Sequence, residues 1–298
     1  MKQQSFKSYK YKQKMVPYLF LAPNLIIFAT FIIFPALVGV YYSFTDMTLF
    51  TFGTPNFIGF DNYVKLVHDK EFLTALKNII FLVAVTVPII FTTSLAIALL
   101  LVQPIKGKNF WRAIYYWPVM ISPIVVGIIW QWILSGDFGL FNTIIKNLGL
   151  EPIDTLINPT FAWWSIVFAK VWSRTGYFMI IFMAALLSIP KTLYEAAEVD
   201  GASSFQRFWN VTYPILKPAR LMVFILLTME IFKIYPLIVT LTGGGPFGKT
   251  EFTVQYIYET GFMSYQIGYS SAMSVIMLLI VTVFTGLNFF FQKGGNDS

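Results

Sequence analysis

Four residues near the C-terminal end have the types and spacing of phosphate chemistry. In LTGGGPFGKTEF, Gly243, Gly248, Lys249 and Thr250 satisfy G-x-x-x-x-G-K-[ST] letter for letter. In a working phosphate-binding loop the backbone N–H groups cradle the nucleotide at a helix N-terminus, and the lysine reaches the outer phosphates. That chemistry requires a strand before the loop and a helix directly after it. A second set of candidates is ionisable: Lys170 and Arg174 are four residues apart, and Glu230 and Lys233 three apart. On a helix each spacing puts the pair on one face. The elements that carry these residues decide what they can do.

Composition bounds those elements. Of 298 residues, 57% are hydrophobic and 12% charged, and the mean hydropathy is +0.68. Soluble domains carry about twice that charge fraction. With 31 Phe, 16 Tyr and 8 Trp besides, the apolar surface exceeds what one globular core can hide, which implies a polytopic membrane protein. There is no Cys and one His, His68, so a disulfide, a thiolate metal site and a cysteine nucleophile are excluded and no metal site is expected.

Six stretches are long and apolar enough to cross a bilayer, which takes about 20 helical residues. They cover approximately 18–44, 78–102, 110–134, 161–188, 219–241 and 268–291. The expected fold is therefore all-α and polytopic, with six transmembrane helices between a basic tail (1–17) and a short tail (292–298). The first apolar run is too long for a cleaved signal peptide and lacks a small-residue cleavage site. Alternate connecting segments hold unequal positive charge. Lys2, Lys7, Lys10, Lys12, Lys14, Lys106, Lys108, Arg112, Lys191, Arg207, Lys217, Arg220 and Lys293 fall on one side, 13 in all; Lys65, Lys70, Lys77, Lys146 and Lys249 fall on the other, 5 in all. The positive-inside rule puts both termini and the 189–220 segment in the cytoplasm. The basic tail reads as a topology determinant, not a nucleic-acid arm.

This topology argues against the phosphate loop. The glycine loop falls outside, where ATP is scarce. The apolar PLIVTLT before it completes a span, and Pro246 removes one N–H from any cradle. The EFTVQYIYETGF that follows is rich in β-branched and aromatic residues and opens a helix poorly. The expected structure is a glycine-rich break at the outer end of the fifth span.

The most informative polar segment is SIPKTLYEAAEVDGASSFQRFWNVTYPILKPA, residues 188–219. Pro190 suits a first helical turn and 192–199 is mostly good helix formers. Asp200 and Gly201 make a turn, and Ser203 with Gln206 has the spacing of a capping box starting a second short helix. Pro214 and Pro218 are expected to close it. Ala196, Ala197, Gly201 and Ala202 leave a flat surface, while Tyr194, Val199, Phe205, Phe208 and Trp209 offer apolar anchors. Physics alone leaves two readings equal: a docking element, or an amphipathic hairpin on the lipid headgroups.

Within that segment, EAAEVDGASSFQRFWNVTYPILKP resembles the EAA loop of permease subunits of binding-protein-dependent ABC importers, whose pattern is E-A-A, three residues, G, nine residues, I-x-L-P. Glu195, Ala196, Ala197, Gly201 and Pro214 match in register. Val211 and Tyr213 stand where Ile and Leu are usual. The first apolar stretch, FIGFDNYVKL, FGLFNTIIKNLGL, DGAS and LTGGGP are similar, in their order, to landmarks of the carbohydrate importers of the maltose type. The resemblance implies that the loop is a cytoplasmic coupling helix-turn-helix between spans 4 and 5. It would dock in a cleft on a separate ATPase through Glu195, Ala196, Ala197, Asp200, Gly201, Ala202 and Phe205. It also implies a second permease subunit in a heterodimer, an ATP-binding subunit dimer and an extracytoplasmic solute-binding protein facing Gly243, Gly244, Gly245 and Pro246. ATP and Mg would be bound by the ATPase, leaving this chain no cofactor and no catalytic residue. The location implied is a bacterial or archaeal cytoplasmic membrane.

Charges within spans cost a few kcal/mol each, so they pair or line a wet cavity. Glu230 with Arg174 or Lys170 as a structural ion pair is one reading. The other is a translocation path lined by Lys170, Arg174, Glu230 and Lys233, with Trp172, Tyr177 and Tyr235 as sugar-stacking faces. Three cations against one anion leave two positive charges, which would suit a uronate- or phosphate-bearing saccharide. A secondary transporter or channel half would need coupling-ion acids in the spans, where only Glu230 qualifies. A membrane enzyme would need paired acids or a His-bearing constellation that the spans lack.

Overall fold

The computed structural model describes residues 16–51, 54–136 and 138–293. The lysines of the basic tail at 2, 7, 10, 12 and 14 lie outside them, as does 294–298 of the C-terminal tail. The described residues are helical with no strand, apart from one isolated antiparallel bridge between Thr45 and Phe57. They divide into two units, 16–68 with 257–278, and 69–256 with 279–293.

The smaller unit opens with helix α1, Val16–Tyr42, none of whose apolar window is buried within the chain. A π-helical turn over Ala29–Ile33 precedes Pro35, which lacks the N–H a regular turn would use. Behind α1 the chain is fixed by polar contacts in the FIGFDNYVKL segment. Helix α2, Asp61–His68, carries the 92%-hidden Asn62, whose amide donates to the carbonyls of Ser43 (3.0 Å) and Thr45 (2.9 Å). Phe44, Phe57, Phe60 and Tyr63 pack as an aromatic cluster beside it. Asn56 donates from its backbone and side chain to Asp46 and holds that carboxyl below its usual range. The later segment of this unit approaches so closely that a Cβ at Gly268 would strike the Thr45 carbonyl.

The larger unit is organised on two long helices. Asp69 caps α3, Lys70–Val102, by accepting from the amides of Glu71 and Phe72, so the helix begins a full two turns before its apolar stretch. Asn158 caps α7, Pro159–Leu187, in the same way, with Pro159 in the first turn. The two pack together, and the Ser94 hydroxyl donates across the seam to the Thr175 carbonyl (2.9 Å). The adjacent Gly176 admits the backbone of Tyr115, whose carbonyl a Cβ would strike.

Between them run α4, Lys108–Tyr116, with a 3-10 turn over Trp117–Met120, then α5, Pro123–Ile133, and α6, Leu140–Asn147. Asn142 explains why the FGLFNTIIKNLGL stretch folds on itself: its amide donates to the Gly136 and Ile153 carbonyls and its oxygen accepts from the Ile153 amide. After α7 come α8, Lys191–Val199, and α9, Ser204–Arg207, continued by a π-helical turn over Phe208–Thr212. Then follow α10, Lys217–Phe232, α11, Tyr235–Leu241, and α12, Thr253–Tyr258; α13, Ile267–Lys293, ends the described chain.

Among the described residues, four helices are long and apolar enough to cross a membrane: α1, α3, α7 and α13 over Ile267–Gly286. The stretches 110–134 and 219–241, expected as single helices, are each broken in two. The segment through Met120 meets α5 at 100°, and α10 meets α11 at 48°. The causes are local. Ser122 is extended and caps Pro123, while Pro236 in the first turn of α11 has no N–H to continue the α10 ladder. Counting each bent pair as one span gives up to six.

Candidate functional sites

The two helix breaks meet at one cavity of about 130 Å³, walled by Ile121, Pro123, Val126, Ile234, Pro236 and Leu237. The α5 and α11 sides are in near contact because position 127 is glycine: a Cβ there would strike the Thr240 hydroxyl. Lys170, Ser173 and Arg174 reach the cavity from α7, and Glu230 and Lys233 from the end of α10. Glu230 Oε2 lies 3.4 Å from Lys170 Nζ and 3.2 Å from Arg174 Nε. The side chains are 8%, 22% and 31% exposed for Lys170, Arg174 and Glu230, so the lysine is sunk into the protein and the carboxylate faces the opening.

All four charged residues singled out in the sequence therefore converge: Glu230 pairs with Lys170 and with Arg174, and the same groups line a cavity together with Lys233. The aromatic residues do not join them. Trp172 stacks edge-on against Trp130 of α5 at 5.7 Å, Tyr177 packs on Phe178, and neither they nor Tyr235 line the cavity. For Trp172 the helical rotation explains this: at 100° per residue it lies about 200° from Lys170, away from the charged face, whereas Tyr177 shares the Lys170 face but sits about two turns further along α7. The breaks themselves were not read from the sequence, although Pro118, Pro123 and Pro236 were their signal.

The helical corner over 189–218 has the two short helices about Gly201 that its sequence predicts, but not the expected proline stops. Gly201, at φ +75°, is the left-handed residue that ends α8. Its amide donates to the Glu198 carbonyl (3.0 Å) and that of Ala202 to the Ala197 carbonyl (2.9 Å), the paired pattern of a Schellman cap. Ser203 and Gln206 form both bonds of a capping box. Arg207 reaches back to Glu198 at 3.4 Å, and Tyr194 meets Thr212 at 3.0 Å. The corner is thus rigid within itself while Glu195, Ala196, Asp200 and Gly201 stay exposed and Ala197 and Ala202 half-buried. Val199 is 88% and Phe205 73% exposed. Pro214 and Pro218 do not stop the chain; each sits in a first turn, where a missing N–H is tolerated.

The glycine loop has neither neighbour that phosphate binding needs. A helix, α11, precedes it, and α12 opens only at Thr253. Gly243, Gly244 and Gly248 have positive φ, and a Cβ at Gly244 would sit 2.6 Å from Gln255 Nε2. Thr250 is fully buried; its hydroxyl lies within hydrogen-bond reach of the Thr242 hydroxyl (2.9 Å) and of the Gly245 carbonyl. The Asn78 amide of α3 donates to the Glu251 carbonyl at 3.0 Å. Tyr256 donates to the Asp69 carboxylate that caps α3 (3.0 Å), and burial with that carboxylate pushes its phenol above the usual range. The loop is a folded tie between α3 and α11. Among the described residues no group of His, Asp and Glu side chains could hold a metal.

Four membrane-length helices, two further bent helix pairs around a charged cavity and an exposed helical corner describe a multi-span membrane protein. Residues 78–294 match the family described as binding-protein-dependent transport system inner membrane component, and the chain belongs to it. The sn-glycerol-3-phosphate transport system permease protein of Rhizobium meliloti is 31% identical, over 95% of this chain and 96% of that protein. The trehalose/maltose transport system permease protein of Thermococcus litoralis is 33% identical over 93% of each chain. A bacterial alginate ABC transporter, crystallised with its alginate pentasaccharide-bound periplasmic protein, superposes with a TM-score of 0.85. That match covers 97% of this chain and 98% of the other at 23% identity, a likeness of fold. The chain is an inner-membrane permease of the maltose type of ABC importer, a transport component and not an enzyme.

Proposed function

We propose that this permease carries a sugar or oligosaccharide by alternating access, powered by ATP and Mg bound on a separate ATPase dimer. In this reading each bent pair is one span, giving six with both termini in the cytoplasm. The tails are 1–17 and 292–298. A second, homologous permease completes the translocation path, and a solute-binding protein delivers the sugar to the outer loop at Gly243, Gly244, Gly245 and Pro246. The saccharide class follows that of the relatives' systems, among them trehalose and maltose transport.

The observation that carries the reading is the corner at Gly201. Two caps meeting at a left-handed glycine make a rigid knob, and its small, exposed residues let another backbone approach closely. A corner of that kind transmits force from a docked subunit into α7 and α10, which flank it in sequence. Glu195, Ala196, Ala197, Asp200, Gly201, Ala202 and Phe205 are assigned to ATPase docking. An amphipathic hairpin on headgroups would gain nothing from such stiffness.

Gly201→Asp tests this. No atom lies within 4 Å of a Cβ at that position, so the change leaves packing inside the chain intact and costs only about 1 kcal/mol of left-handed strain. The variant is expected to insert normally while ATPase co-purification drops by at least about tenfold. Undiminished ATPase capture by both Gly201→Asp and Glu195→Lys would overturn the docking assignment.

A further inference from the structure

The cavity at the helix breaks holds more positive charge than its own ion pairing can use. Lys170, Arg174 and Lys233 share a single carboxylate, Glu230. A structural pair needs one cation, and Lys170, the most buried of the set, already fills that role. Arg174 meets Glu230 edge-on through Nε, and no described residue accepts a hydrogen bond from its terminal nitrogens. Lys233 is exposed and makes no ion pair among the described residues. Uncompensated charge between apolar walls is costly inside a membrane and marks a ligand path. The walls also strengthen any opposite charge brought in, by lowering the local dielectric. Helix α5, 11 residues long, starts at Pro123 in the same wall and adds its positive end.

We propose that this cavity selects saccharides bearing an anionic group, a carboxylate or a phosphate ester, with Arg174 and Lys233 as the specificity-determining contacts and Lys170–Glu230 as the pair that positions Arg174. A guanidinium held at its Nε edge presents its remaining donors as a planar fork that matches a carboxylate or phosphate in two bonds. Lys233 adds a mobile point charge at the opening. Glu230 by itself would repel an anionic ligand, but Lys170 and Arg174 both approach its one oxygen and offset its charge. The inference rests on the reading of this chain as a saccharide importer's permease.

The test uses the importer purified with its partner subunits in nanodiscs, without the solute-binding protein, so that only the membrane cavity discriminates. Trigalacturonate, glucose 6-phosphate and neutral maltotriose are titrated by calorimetry. At least one anionic probe is expected to bind about tenfold tighter than maltotriose at low salt. That advantage should shrink as salt approaches molar, where screening shortens to a few ångströms. Lys233→Gln, at an exposed position, should reduce it at least fivefold, and Arg174→Gln should reduce it further. The probe whose binding depends on Arg174 distinguishes uronate from phosphate ester. If maltotriose binds as tightly as both anionic probes, or if both variants keep the anion preference, the proposal is overturned. Assembly with the ATPase is measured by size exclusion before ligand is added; failure there strikes the importer reading instead, whereas tight maltotriose binding by an assembled complex strikes only this one.

Discussion

The corner over 189–218 and the charged cavity are held by different kinds of contact. Every bond that shapes the corner closes within about twenty residues: the Schellman cap at Gly201, the box from Ser203 to Gln206, the Arg207–Glu198 pair and the Tyr194–Thr212 contact. The cavity is made by residues 60 apart in the chain, Lys170 and Glu230, and by two helix breaks more than 100 residues apart. A local device can remain stiff while it moves as a body. A device assembled from several helices must change when those helices shift. The first suits a lever and the second a gate, which is the division of labour an alternating-access permease needs.

The sharpest way to break this comparison is to remove Glu230. Lys170 would then be a nearly buried ammonium with no carboxylate, and breaking such a pair by deleting one partner typically costs 3–5 kcal/mol. Because Glu230 is 31% exposed, a loss of about 2–3 kcal/mol is expected for Glu230→Ala. Thermal melting of the purified complex should fall accordingly, with partial recovery in Glu230→Ala combined with Lys170→Met. Unchanged melting of the single variant would mean that the cavity charges are independent solvated groups and that the contrast with the corner is false.

The same contrast explains what was legible in the sequence. The corner was readable nearly residue by residue, because capping boxes, left-handed glycines and helix formers are local signals. The helices α1, α3, α7 and α13 were readable from apolar length. The two broken spans were not, because a hydropathy average passes over a proline whose effect depends on what packs around it. Pro88 lies within α3, which continues through it, whereas Pro123 opens a new helix after a 100° turn. The convergence of Lys170, Arg174, Glu230 and Lys233 was foreseeable as charge in need of a partner. The exclusion of Trp172 follows from its spacing from Lys170, whereas that of Tyr177 required knowing how far along α7 the cavity extends, a tertiary fact. Asn62 and Asn142 were overlooked for a related reason: an asparagine that satisfies distant carbonyls looks like any loop polar residue until those carbonyls are placed.

A smaller effect sharpens the comparison at the corner. Ser203→Ala removes one bond of the capping box and leaves the Schellman cap in place. A lost N-cap costs about 1 kcal/mol, spent locally, so the melting temperature of the complex should barely move. What is expected to change is stiffness: faster amide exchange over 203–207 and a two- to threefold drop in sugar-stimulated ATPase turnover. If exchange rises and turnover does not, the corner docks without acting as a lever.

The smallest effect expected is at Lys249, where the sequence most resembles a nucleotide site. In a phosphate loop, deleting this lysine removes the contact to the outer phosphates and abolishes hydrolysis. Here its side chain is exposed, while its neighbour Thr250 is buried and bonded to Thr242 and the Gly245 carbonyl. The hydroxyl that a bound Mg would require is therefore already committed to holding the loop shut. Lys249→Ala changes one solvated charge on a surface that faces the proposed solute-binding protein, and charges at a rim act mainly on association rate and its salt dependence. Basal ATPase activity of the assembled importer should be unaltered, with at most about a twofold, salt-sensitive loss of stimulation by the binding protein. Gly244→Val should do more harm, because its Cβ would press on Gln255, which donates to the Gly243 carbonyl and fixes the turn. Were ATP binding by the isolated subunit to disappear on changing Lys249 alone, the loop would be a phosphate site after all, and its placement opposite the 189–218 corner would be wrong.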